Sequence, residues 1–293
     1  MPTVSVDQEA VDVLTVSAAA ILAWSAAIAF HQVGHALVAD AFDVPLETVT
    51  ALGVTGRWGA LRTAGTLLTS VSGTAANVLL MAAAWFVMRP SDVPGLRVVS
   101  GWLLFVSSGW IVAGHLVLSP VLGTGDWITV VDLFANRGPL RVSAFVTGVF
   151  VSGVLWKATH ERLAYVVGGG PSTKRVEVAH RLAWTAWISA TVLAAGVGMV
   201  TGGLGPSDSM LQHNGVLLSE SIVGAVVAGG VAAVIGYALV ALPIVFAPRM
   251  VEERPVPGPP VSVPRSPTLI LVALVTTVLV AVTLGPGLRI GSG

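Results

Sequence analysis

Six long apolar stretches, at 13–40, 64–88, 98–118, 180–202, 216–247 and 268–285, restrict this chain more than any other feature. Each is near or above the roughly 20 residues that carry a helix across a bilayer. A seventh, 142–156, is shorter and marginal. Backbone inside lipid must satisfy its own hydrogen bonds, so these runs predict an all-α integral membrane protein with six or seven transmembrane helices. With 54% hydrophobic and only 10% charged residues, the chain has too little polar surface to cover its apolar side chains in water.

The same composition excludes other classes. Net formal charge is zero and no basic patch offers itself to nucleic acid. Cysteine is absent, which rules out disulfides and thiolate ligands and leaves His, Asp and Glu as metal donors. Asp7, Glu9 and Asp12 stand where a secretory signal carries a basic start, so the first helix is expected to be retained. Lys and Arg in the loops of a seven-helix chain favour an inward N-terminus, and a multi-pass protein of a prokaryotic cell membrane is the expected setting.

Four regions follow along the chain: a three-helix core at 1–136, accessory helices at 137–247, a Pro-rich linker at 248–267 and a last helix within 268–293. Between the first two helices, FDVPLETVTALGVTGRWGALRTAG mixes β-branched residues with Pro45 and glycines, and predicts a short strand-like segment. Its edge is a place where an extended peptide could add as a further strand, although a plain interhelical loop fits equally well. The linker, with seven prolines, reads as an extended polyproline-like connector that tethers the last helix loosely. GGGPSTK at 168–174 lacks the spacing of a phosphate loop and reads as a flexible turn, flanked by His160 and His180 on a surface facing lipid headgroups.

Chemistry concentrates in AIAFHQVGHALVAD. On a helix, residues four apart lie about 40° from each other around the axis, so His31 and His35 can grip one metal ion, with Zn2+ the natural candidate. In the usual H-E-x-x-H form the residue after the first His is a glutamate that acts as general base. Here Gln32 holds that position: a carboxamide of nearly the same shape, neutral, and unable to accept the proton near neutral pH. A bound metal with little hydrolysis is therefore expected, because loss of one acid-base group costs about 10²- to 10⁴-fold in rate. Two histidines need a third donor. Asp126 follows LVLSPVLGTG, where Pro120, Gly123 and Gly125 interrupt a helix and let a carboxylate reach inward; Asp132 is a weaker rival, and helix capping is the competing role for Asp126. Asp40, Asp43 and Glu47 follow the motif, but Asp40 would need the chain to fold back to serve as a substitute base.

Residues 13 to about 135 resemble the site-2 protease family of intramembrane zinc metalloproteases. The family motif HExGHA is matched by His31, Gly34, His35 and Ala36, with Gln32 in the Glu position. Its G-P-x-x-N element is similar to SGTAANVLLM through Gly73 and Asn77, with Thr74 where proline is usual. Its N-x-x-P-x-x-x-L-D-G element is matched loosely by Pro120 and Asp126. The resemblance implies zinc held by His31, His35 and Asp126, and Gly73 and Asn77 as residues supporting the core or the substrate. It also implies cleavage of transmembrane segments of other membrane proteins by zinc-activated water. With Gln32 it implies an inactive or impaired form, a natural pseudoprotease or an engineered trap that holds a client helix in the bilayer. His115 has no counterpart in the family pattern; it reads as a satisfied buried residue, a group supporting the ligands, or an alternative ligand. A reading from another class is a transporter or ion-path protein using His31, His35 and Asp126.

Overall fold

The computed structural model describes residues 11–44, 46–49, 54–56, 63–88, 95–123, 125–204, 251, 256, 258–284 and 288–289. Helix α1 runs Val13–Ala41, followed by strands β1 (Leu46–Val49) and β2 (Val54–Gly56). Helices α2 (Thr63–Val87), α3 (Leu96–Leu122), α4 (Asp126–Asp132), α5 (Arg137–Val167) and α6 (Ser172–Leu204) come next, then α7 (Pro267–Thr283) and strand β3 (Leu288–Arg289). Among the described residues four helices, α1, α2, α3 and α5, are long and apolar enough to cross a membrane. Together with the outward apolar faces described below, they mark a membrane protein.

The ends of these helices follow from local chemistry. Asp12 caps α1, its carboxylate accepting from the Thr15 backbone N–H at 2.8 Å and from the Thr15 hydroxyl at 2.7 Å. Ser266 caps α7 in the same way, and Pro267 at the first helical position gives up only a donor that would lack a helical partner. At the other end of α3, Gly123 takes the left-handed conformation (φ 70°) and its N–H closes on the Ser119 carbonyl at 3.0 Å.

Helix α3 is the hub, with Trp102, Trp110 and Val99 all buried. It packs against α1, α2 and α5, and the Trp102 indole donates to the Thr159 carbonyl of α5 at 3.2 Å. Small residues let the backbones approach. A Cβ on Gly34 of α1 would lie 2.6 Å from the Ser72 carbonyl oxygen and 2.9 Å from the Ala76 Cβ of α2, so that crossing tolerates only hydrogen. By contrast, α5 turns Val142, Val146, Phe150 and Val154 outward, and α7 does the same with Leu271, Leu274, Val278 and Val282. Such apolar faces suit lipid, which solvates them as well as protein does.

Four expectations change. The marginal run at 142–156 lies within α5, a helix of 31 residues. The Pro-rich segment is no loose tether where it is described. Its residues 260, 262 and 263 make bridges to Gly168, Gly95 and Val11, its Val263 carbonyl accepts from Asp12 N–H at 2.9 Å, and Val261 and Val263 are buried in the main core. The turn at 168–171 is also fixed, since the buried Arg175 donates through Nε to the Gly168 carbonyl at 2.8 Å. His160 is likewise buried, against Trp156, and only His180 lies on an exposed surface. The run at 216–247 lies outside the described residues.

The segment between α1 and α2 is strand-like, as its composition suggests. Its sheet has the order β2-β1-β3, antiparallel throughout, with Thr48 opposite Arg289 and Val49 opposite Leu288. Strand β1 is therefore the middle strand. Of the two edges of this segment, that of β1 is taken by β3 of the same chain, and that of β2 pairs with no further strand among the described residues.

Candidate metal centre

His31 and His35 project from one face of α1 towards α2, as their spacing requires. Both are buried, at 2% and 6% exposure, and their rings meet edge to face with centroids 4.8 Å apart. Across from them stands Asp126, at the start of α4. Its Oδ2 lies 3.0 Å from His31 Nε2 and 3.2 Å from His35 Nε2, and the two Nε2 atoms are 3.2 Å apart. The three donor atoms thus form a triangle with sides close to those of a tetrahedral site, where bonds of about 2.0–2.1 Å set ligand atoms roughly 3.3 Å apart.

The surroundings orient each ring. His35 Nδ1 sits 2.6 Å from the Thr69 carbonyl oxygen of α2, and only an Nδ1–H can be accepted there. In the neutral ring that assignment leaves the Nε2 lone pair, 3.2 Å from Asp126 Oδ2, as a donor to a cation held between the two. His31 Nδ1 meets the Asn77 carboxamide at 2.9 Å, and the other end of that amide, Oδ1 as placed, is buried with no hydrogen-bond partner. The two ends of a carboxamide are distinguished only by their partners. With Oδ1 turned to the ring, Asn77 accepts the Nδ1–H and His31 presents a bare Nε2 to the site. Beneath both rings lies Gly73, whose place a side chain could not take: a Cβ there would lie 2.8 Å from His31 Nε2 and would also press on His35 Nε2.

Asp126 is free to face the histidines because other groups cap α4. Its N-cap, Gly125, makes no side-chain hydrogen bond, and the Ile128 N–H is satisfied instead by Ser119 Oγ at 2.9 Å. Next to Asp126, the Trp127 indole donates to Thr74 Oγ1 at 3.3 Å, tying α4 to α2. The capping role for Asp126 is thereby excluded. Asp132 lies away from the cluster in an exposed pair with Arg137 at 3.4 Å. Asp40, Asp43 and Glu47 are exposed beyond the motif. Gln32 is buried at 4% exposure beside His31.

His115 joins the group from α3. Its Nδ1 is 3.1 Å from the same Asp126 Oδ2, and its ring centroid is 4.6 Å from that of His31. The structure thus brings together His31, His35, Asp126, Asn77, Gly73 and His115 from four helices. Thr69 and Ser119 were not foreseen: one acts through a backbone carbonyl, and the other lies in an apolar helix with no distinguishing pattern. A donor set of two imidazoles and a carboxylate, with the Nδ1 atoms tied behind, fits zinc. No family model, curated protein or solved structure matches this chain.

Proposed function

We propose that this protein is a multi-pass membrane protein on an intramembrane metalloprotease scaffold of the site-2 kind, silenced at its general base. The observation that carries the reading is the meeting of His31 and His35 with Asp126, more than 90 residues away in sequence, so that their donor atoms lie within 4.8 Å of one another. Zinc held by these residues supplies a polarised carbonyl and an activated water for amide cleavage. The chain's own residues do the positioning. Thr69 and Asn77 hold the two imidazoles with Nε2 inward, Ser119 and Thr74 hold α4 so that Asp126 faces them, and Gly73 keeps the space clear.

Gln32 stands where a carboxylate would take the proton from the attacking water, and its amide cannot. A client is therefore bound without being cut. The client is a transmembrane segment of another membrane protein, reaching the site from the bilayer. Counting α6, the run at 216–247 and α7 with the four long apolar helices gives seven spans, the upper of the two numbers expected from the sequence, in the cell membrane of a prokaryote.

The test is zinc content and cleavage of a model transmembrane substrate, measured on the parent protein and on His31→Ala and Gln32→Glu. The parent and Gln32→Glu should carry about one zinc per chain and His31→Ala none. Cleavage should be absent from the parent and rise by about 10²- to 10⁴-fold in Gln32→Glu. Absence of zinc from every variant would overturn this reading in favour of an ion path through the same residues.

A further inference from the structure

We propose that His115 is a positioning residue, which donates a hydrogen bond to the Asp126 carboxylate and holds it at the metal without binding the ion itself; the inference rests on the metal-centre reading above. His115 Nδ1 lies 3.1 Å from Asp126 Oδ2. An ionised carboxylate can only accept, so the proton of this contact belongs to Nδ1. A ring nitrogen that carries a proton has no lone pair to give a metal. His31 and His35 differ in this respect, because their Nδ1 atoms face Asn77 and Thr69 and each leaves a bare Nε2 towards the site. Three protein donors and an open fourth position remain, the arrangement in which zinc keeps a water to activate.

Asp126 is a ligand that needs holding. It opens a helix of only seven residues and follows Gly123 and Gly125, both with positive φ (70° and 84°), so its place is set from outside α4. Helix α3 supplies two contacts from one face. Ser119 Oγ accepts from the Ile128 N–H at 2.9 Å, and His115, one turn earlier, reaches the carboxylate. The first fixes the backbone of α4 and the second the side chain that meets the ion. The base for both is firm: Gly114 and Leu116 on either side of His115 are buried, and a Cβ on Gly148 of α5 would lie 2.8 Å from the Leu116 carbonyl carbon. The His115 side chain is 32% exposed, against 3% and 7% for His31 and His35, so its ring stands at the rim of the cluster.

Chelator competition on the purified full chain measures zinc affinity in the parent, His115→Asn and His115→Leu. The Asn amide nitrogen stands where Nδ1 does along the side chain and can donate, whereas Leu keeps bulk without a donor. His115→Leu should lose at least about tenfold in affinity, and His115→Asn should retain most of it. Hydrogen exchange at residues 126–132 should match the parent in both, which separates a misplaced carboxylate from a loosened helix. X-ray absorption at the metal edge of the zinc-loaded protein should count two imidazoles in the parent and in His115→Asn. Should His115→Leu fail to fold, His115→Ala carries the same comparison with His115→Asn. Parent-like affinity in His115→Leu, equal losses in the two variants, or three imidazoles in the parent would overturn the positioning role and leave the metal centre standing. A parent that binds no zinc would sink both.

Discussion

A methyl group at position 73 would enter the space that the inward-facing imidazoles enclose. Its carbon would lie 2.8 Å from both Cε1 and Nε2 of His31, well inside van der Waals contact. Gly73→Ala is therefore expected to weaken zinc binding by at least about tenfold, the scale seen when ligand orientation is disturbed, and chelator competition would show it. Asn77 acts from behind the ring. Asn77→Ala leaves the Nδ1 of a buried His31 without its partner and should cost about 10- to 100-fold in zinc affinity, with Asn77→Asp retaining most of it; equal affinity in both variants would refute the role. At this scale the sequence is informative where a side chain both carries the chemistry and sits at a characteristic spacing, as with His31, Gln32, His35 and Asp126. Thr69 was hidden because its carbonyl acts, and any residue has one. His115 was visible as a histidine in an apolar run, but only the crossing of α3 over α1 puts its ring beside His31.

Helix α4 has only seven residues, too few to persist alone in water, so its position depends on what holds its first turn. Ser119→Ala removes the acceptor of the Ile128 N–H and should cost about 1 kcal/mol locally. Hydrogen exchange at residues 126–132 should quicken and zinc affinity should fall, while the rest of the helices keep their protection. At the start of α1, the Thr15 hydroxyl, aided by the Thr15 backbone N–H and by Arg265, holds the Asp12 carboxyl below its ordinary value of 3.8, against a smaller opposing effect of burial. A depressed carboxyl contributes stability that is complete above its unfolded value and lost as pH falls through its folded one. Thermal stability should thus drop on acidification below about pH 4, and Asp12→Asn should flatten that dependence. The helices and the strand pair were legible because apolar length and β-branched residues around turns announce them. Strand β3 was not, since a two-residue strand has no periodicity and its place beside β1 is set by tertiary contact alone.

For the molecule as a whole, composition showed that the proline-rich segment is extended but not what it lies against. Its alternating Val261 and Val263 are 1% and 0% exposed, and the backbone between Pro259 and Ser266 bonds to the end of α5 and the start of α1. Val263→Asp buries a charge in that seam and should lower the melting temperature of the detergent-solubilised protein by several degrees or more. An unchanged melting temperature would show that the seam is dispensable. The seam also orders events during synthesis. Residues 259–266 are made after α1 to α6, yet they join the beginning of α1 to the bridge at Gly95 and the end of α5. Synthesis must therefore pass residue 266 before the start of the first helix finds this partner, and a chain truncated ahead of that point is expected to leave the ends of α1 and α5 without the strand that joins them.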